Sequence, residues 1–167
     1  RPIFLDFENA LVECVATGCT AAFNLPAKKI LSLCTPRHIF MHDWWFYLVV
    51  SAFGKVVYDD YPVIKYRQHD LNVVGSAHGY LSLFIRRILR VIHKQNDGIF
   101  WMSSQVRELL RCYHHLLNPD QIFLLQLILD SKNSILKRCR LAFSMQFKRQ
   151  SMIDNILLRL MILLNKY

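Results

Sequence analysis

The sequence predicts an α/β first part followed by a mostly α-helical C-terminal extension. Three observations carry that expectation. Up to Ser76–Gly79 the chain holds four of its five prolines and three of its five glycines. The same stretch contains several short runs rich in β-branched and aromatic residues, bounded by turn residues. Beyond it, apolar residues recur at helical spacing almost without interruption. The division therefore falls at residues 1–76 and 77–167. With 167 residues, 53% of them hydrophobic and 13% aromatic, the chain is long and apolar enough to bury a core.

The elements follow in order. Leu11-Val12-Glu13-Cys14-Val15-Ala16 alternates imperfectly up to Thr17-Gly18 and reads as a short strand. Pro26 opens a helix to Leu33, with Asn24 as cap. After the break at Thr35-Pro36, His42 or Asp43 starts a helix over Asp43–Phe53, which Gly54 ends. Lys55–Tyr58 reads as a strand, Asp59–Pro62 as a turn and Val63–His69 as a second strand. In the second part Leu81, Phe84, Ile85, Ile88 and Ile92 form one stripe, with Arg86, Arg87, Arg90 and Lys94 mostly turned away from it. Further helices are predicted over Trp101–Leu117, Pro119–Asp130 with Asn118 capping, Ser134–Phe147 and Ser151–Asn165.

Charge and cysteine usage narrow the partners. Twenty-one Lys and Arg against twelve Asp and Glu give a net charge of +9, which favours anionic partners. Most of the excess lies beyond Asn133, where Lys137, Arg138, Arg140, Lys148, Arg149, Arg159 and Lys166 face only Asp154. The five cysteines are scattered and never form a C-x-x-C pair, which argues against a disulfide framework or zinc site and for a reducing compartment. The longest apolar runs are interrupted by Gln126 and Arg159 and fall short of the roughly 20 residues that span a bilayer. Arg1-Pro2 opens the chain without an initiator Met, which reads as a fragment.

Three segments offer chemistry. In "HDWW", Asp43 sits in a first helical turn, where a carboxylate is favoured by roughly 0.3–1 kcal/mol. It reads either as a capping residue or as a general base aimed by the packed aromatics, with His42 placed to tune or share that role. Trp44 and Trp45 point about 100° apart on a helix, so one can enter the core while the other lines a cleft. In "YRQH", Arg67, Gln68 and His69 end a predicted strand, where ligand loops gather in α/β sheets; Arg suits phosphate oxygens and His suits a metal or a phosphate. In "TGCT", Gly18 permits close backbone approach and Thr20 offers a hydroxyl; the plainer reading is a strand-to-helix turn with Cys19 as a buried small hydrophobe. One glycine does not make a phosphate-cradling loop. His114 and His115 have no helical partner at metal-ligand spacing.

In this order and spacing, "TGCTAAFN" followed by "HDWWFYLVVSAFGKVVYDDYPVIKYRQHDLNVVG" resembles the C-terminal half of the catalytic domain of family 2 glycosyltransferases, nearest to the bacterial rhamnosyltransferase-like group of surface polysaccharide synthesis. The resemblance covers roughly Asn9 to Gly75, and the helical tail more loosely. It implies a partial GT-A, Rossmann-like fold. It also implies inverting transfer of a sugar, rhamnose among the candidates, from a nucleotide-sugar donor to a glycan or lipid-linked acceptor. On this resemblance Asp43 matches the catalytic base. Arg67, Gln68 and His69 lie near the donor diphosphate, with His69 toward a divalent cation, Mg or Mn. Gly18, Cys19, Thr20, His42 and Trp44 or Trp45 border the sugar and acceptor cleft. The family's nucleotide-binding half, with its Asp-x-Asp motif, is expected ahead of Arg1. The protein is then expected in the cytoplasm, peripheral on the inner face of the plasma membrane.

A rival reading is a non-catalytic basic helical module that docks on a membrane surface or an acidic protein. Ile153, Ile156, Leu157, Leu160 and Leu164 share one face, and with Leu158 and Ile162 the last helix is apolar nearly all round. That pattern predicts a buried helix ahead of a membrane-adjacent one. No helix-turn-helix, RNA-binding or zinc signature appears, so nucleic acid is not an expected partner.

Overall fold

The computed structural model describes residues 2, 4–62, 64, 65 and 101–167. Among them are seven α-helices: α1 (Phe7–Val12), α2 (Leu25–Leu31), α3 (His42–Phe53), α4 (Trp101–Tyr113), α5 (Pro119–Ser131), α6 (Ile135–Ala142) and α7 (Met152–Leu163), with a single 3-10 turn at Gly18–Thr20. One compact unit takes in Arg1–Asp59 and Ile99–Tyr167; a second spans Asp60–Gly98. Of the second unit, residues 60–62, 64 and 65 are described, and all of them are exposed without helix or strand.

The expected α/β, GT-A-like fold is not what the chain adopts, because no strand forms among the described residues. The reasons are local. Asp6 caps α1 by accepting from Asn9 N at 2.8 Å, and Phe7, Ala10 and Leu11 bury at helical spacing. The helix therefore claims Leu11 and Val12, and the run after Glu13 is extended but unpaired. Lys55–Tyr58 has no ladder partner either, and Val57 is 78% exposed. Of the predicted strand Val63–His69, Ile64 and Lys65 carry no regular structure, and the rest lies outside the described residues. So do the stripe Leu81–Ile92 and the expected boundary at residues 76 and 77.

The helix starts obey their caps. Asn24 accepts from Ala27 N at 3.0 Å, and Asn118 and Gln121 form a reciprocal capping box ahead of α5. Gly54 ends α3 in an extended conformation (φ −155°), not the left-handed one expected of it. Asn165 takes the left-handed conformation instead (φ 60°). It closes α7 with Lys166 N donating to Met161 O at 2.8 Å and Asn165 N to Ile162 O at 3.0 Å. The helix predicted over Ser134–Phe147 stops at Ala142, and Phe147 is buried from the loop that follows.

Within the larger unit α3 packs on α1 and α2, α4 packs on α1, and α5, α6 and α7 follow on α4 in sequence. Trp45, Leu48, Leu109, Tyr113, Leu125 and Leu158 lie in the shared core at 2% exposure or less. Each such side chain contributes roughly 1.5–3 kcal/mol on burial. Polar ties fix the layers against one another. Tyr113 Oη donates to Ile30 O at 3.0 Å, Gln121 Nε2 to Ala52 O at 2.8 Å, and Asn9 Nδ2 to Lys148 O at 2.8 Å. Between α2 and α4, Glu108 accepts from Arg37 N at 2.8 Å while Arg111 bridges Glu108 and Thr35 O. A disulfide joins Cys34 and Cys112 beside that network, with Cα atoms 5.5 Å apart. It corrects the expectation of unpaired cysteines; Cys14, Cys19 and Cys139 are free.

Candidate functional site

α3 begins at His42, with Met41 as a cap residue that makes no side-chain capping bond. Asp43 takes over that role from the second helical position, its Oδ1 accepting from Trp44 N at 2.8 Å. The carboxylate is nearly enclosed at 7% exposure, while His42 beside it is exposed.

Both tryptophans are taken up by the core. Trp44 is 8% exposed, and its Nε1 donates to Ala10 O at 2.7 Å, pinning α3 to α1. Trp45 is 1% exposed and lies against Tyr113 with ring centroids 6.2 Å apart. The expectation that one of them walls an acceptor cleft is therefore corrected: the interior has uses for both directions of the pair. The accessible aromatic surface at this end comes from residues the sequence reading passed over. Phe46 meets His42 edge-on at 5.9 Å and Phe23 at 5.4 Å, and Phe40 packs edge-on against Trp44 at 6.0 Å. Phe46 stands four residues after His42, and that helical spacing is the signal that would have found it.

The "GCT" turn and the "HDWW" helix start are brought together. A Cβ on Gly18 would stand 2.7 Å from His42 Nε2 and 3.6 Å from Asp43 Cβ, so the backbone of the turn lies flush on the first turn of α3. A side chain there would make the His42 imidazole move. Thr20 holds the turn through Oγ1, which donates to Thr17 O at 2.9 Å; Cys19 and Thr20 are both exposed. Cys14 completes the surroundings. Burial pushes its thiol up to about 12, a backbone hydrogen bond at Ala16 works against that, and the charges of Asp43 and Glu13 add to it. The thiol is therefore neutral at physiological pH.

Arg67, Gln68 and His69 lie outside the described residues. Among the described residues no group of three or more His, Cys, Asp or Glu could hold a metal ion. The site as described is thus a carboxylate and an imidazole at a helix start, roofed by a glycine turn. It is equipped to accept a proton and to orient a hydroxyl. No helix among the described residues is long and apolar enough to cross a membrane. Comparison of the chain with models of known protein families, with curated proteins and with solved structures finds no match in any of the three.

Proposed function

We propose that this chain carries the acceptor side of an inverting glycosyltransferase, in which a sugar passes from a nucleotide-activated donor to a hydroxyl of a glycan or lipid-linked acceptor. The observation that carries the reading is the convergence of Gly18 on His42 and Asp43. Two motifs that resemble the same enzyme family stand far apart in the chain yet meet in space. The reading rests on that convergence and on the resemblance of the motifs, and it does not draw on an α/β sheet. Asp43 takes the acceptor proton as the hydroxyl attacks the anomeric carbon, and His42, exposed at the same helix start, orients the acceptor. Phe23 and Phe46 supply an apolar edge beside them. By the resemblance alone Arg67, Gln68 and His69, outside the described residues, are assigned to the departing diphosphate, and no step here is routed through a cation.

The test is release of nucleoside diphosphate from nucleotide sugars by the protein in the presence of sugar acceptors. Asp43→Asn keeps the shape of the side chain and removes the base. It is expected to lower transfer by at least the 10²–10⁴-fold typical of a lost general base while donor binding persists. Transfer by that variant near the wild-type rate refutes the assignment. The same reading places the protein in the cytoplasm at the inner face of the plasma membrane. The Cys34–Cys112 bridge bears against a reducing compartment, so the redox state of that pair in cells decides the location.

A further inference from the structure

The last helix turns out the face that its sequence pattern predicts to be buried. Asp154, Leu158 and Ile162 face inward at 7% exposure or less, while Ile153, Ile156, Leu160 and Leu164 stand 47% to 60% exposed in a row along the outside. Four large aliphatic side chains at this spacing make a continuous apolar stripe on one side of the helix. α6 runs antiparallel beside it: Arg159 Nη1 donates to Ala142 O at 3.2 Å and Arg138 Nη1 to Leu163 O at 3.5 Å. That pairing leaves the stripe outward; Leu136 and Phe143 of the neighbouring segment are exposed as well.

The segment that carries this surface is basic. Beyond Asn133 seven Lys and Arg accompany one acidic residue, Asp154, and that one is buried. Lys137 pairs with Asp130 and Arg149 with Glu13, which leaves the segment still positive; Arg159, next to Leu160 in the row, is half-buried with Nη1 on Ala142 O, while exposed Arg140 and Lys148 stand over the rings of Phe123 and Phe4. A second copy of the chain would match the aliphatic row but set like charges against each other. An acidic protein would match the charge but needs a groove shaped to the row. A bilayer with anionic headgroups meets both at once and needs no complementary shape.

We propose that the α6–α7 face docks on the surface of an anionic lipid bilayer, with the row Ile153, Ile156, Leu160 and Leu164 at the acyl boundary and Arg159, at the seam of the two helices, toward the headgroups. The helix lies on the membrane and does not cross it. The inference is independent of the transferase reading, and failure of either leaves the other standing.

The test is co-sedimentation of the chain with vesicles of phosphatidylcholine, with and without phosphatidylglycerol, at low and high salt. Wild type is expected to pellet with the phosphatidylglycerol vesicles, less so as salt rises, and little with phosphatidylcholine alone. Leu160→Asp is expected to weaken partitioning about tenfold or more, and Arg159→Glu to weaken it on anionic vesicles only. Circular dichroism checks that each variant folds; Ile156→Ser with Leu160→Ser replaces the first should it fail. Equal pelleting by wild type and variants overturns the proposal. So does absence of pelleting on anionic vesicles, including the case where sedimentation velocity finds a dimer that Leu160→Asp dissociates.

Discussion

Replacing Cys34 and Cys112 together by Ala removes a bridge between residues 78 apart in the chain. Loop-closure entropy for a span of that length amounts to about 4.5 kcal/mol, taken from the denatured ensemble. The native state loses little else, because the same two segments remain joined by Arg37 N to Glu108 Oε2 at 2.8 Å and by Arg111 Nη2 to Thr35 O at 3.0 Å. Against a typical domain stability of about 5–15 kcal/mol, the loss is a third or more of the whole. In urea, with a slope of about 2 kcal/mol/M, the unfolding midpoint is expected to fall by roughly 2 M. Thiol titration of the denatured, unreduced protein is expected to find the three free cysteines Cys14, Cys19 and Cys139, and all five after reduction. Five reactive thiols before reduction refute the pairing. A midpoint shift under about 0.5 M with the bridge verified by mass refutes the entropic argument.

Three further outcomes are expected. Gly18→Ala drives a methyl to within 2.7 Å of His42 Nε2, so the exposed imidazole swings aside. Stability is expected to change by less than about 1 kcal/mol while the His42 NMR signals shift, and the stability cost should vanish in a His42→Ala background. Tyr47→Phe removes a hydroxyl that donates to buried Asn9 Oδ1 at 2.8 Å. The cost is expected at about 1–2 kcal/mol by urea unfolding, at the lower side because Gln150 Nε2 also reaches that oxygen at 3.4 Å. The third concerns pH. Burial, with the charges of Arg107 and Arg138, lowers Lys132 from 10.5 to about 8, so between those values the unfolded chain holds the extra proton and stability rises with pH. Cys14 works the other way: raised from 9.0 to about 12, its contribution is complete below pH 9 and is lost as pH climbs toward 12. Lys132→Met is therefore expected to abolish the rise just above pH 8 and leave only the alkaline fall. A rise that survives in that variant would assign it to another group.

Most helix positions were legible because their signals are local. Asn24 and Asn118 bond the N–H groups that their spacing offers, and α3 and α5 occupy nearly the ranges their apolar runs predict. The strand readings failed where a six-residue alternation competed with a cap outside the window. Asp6 nucleates α1 from upstream and takes Leu11 and Val12 with it. At the candidate site the residue types were readable, but Phe23 and Phe46 were not, because their part depends on which side of α3 the 3-10 turn covers.

By itself, then, the sequence determined the caps, most helix positions, the basic excess and the small residue at Gly18. The caps and helix positions depend on neighbours within about one helical turn. The tertiary structure alone decided three things. It paired Cys34 with Cys112 out of five scattered cysteines, since only folding brings two Cα atoms to 5.5 Å across 78 residues. It drew both tryptophans inward, because α1 and α4 approach α3 from different sides. And it chose the outward face of α7: on a helix apolar nearly all round, periodicity cannot rank the stripes. Packing against its neighbours buried Asp154, Leu158 and Ile162 and left the aliphatic row exposed.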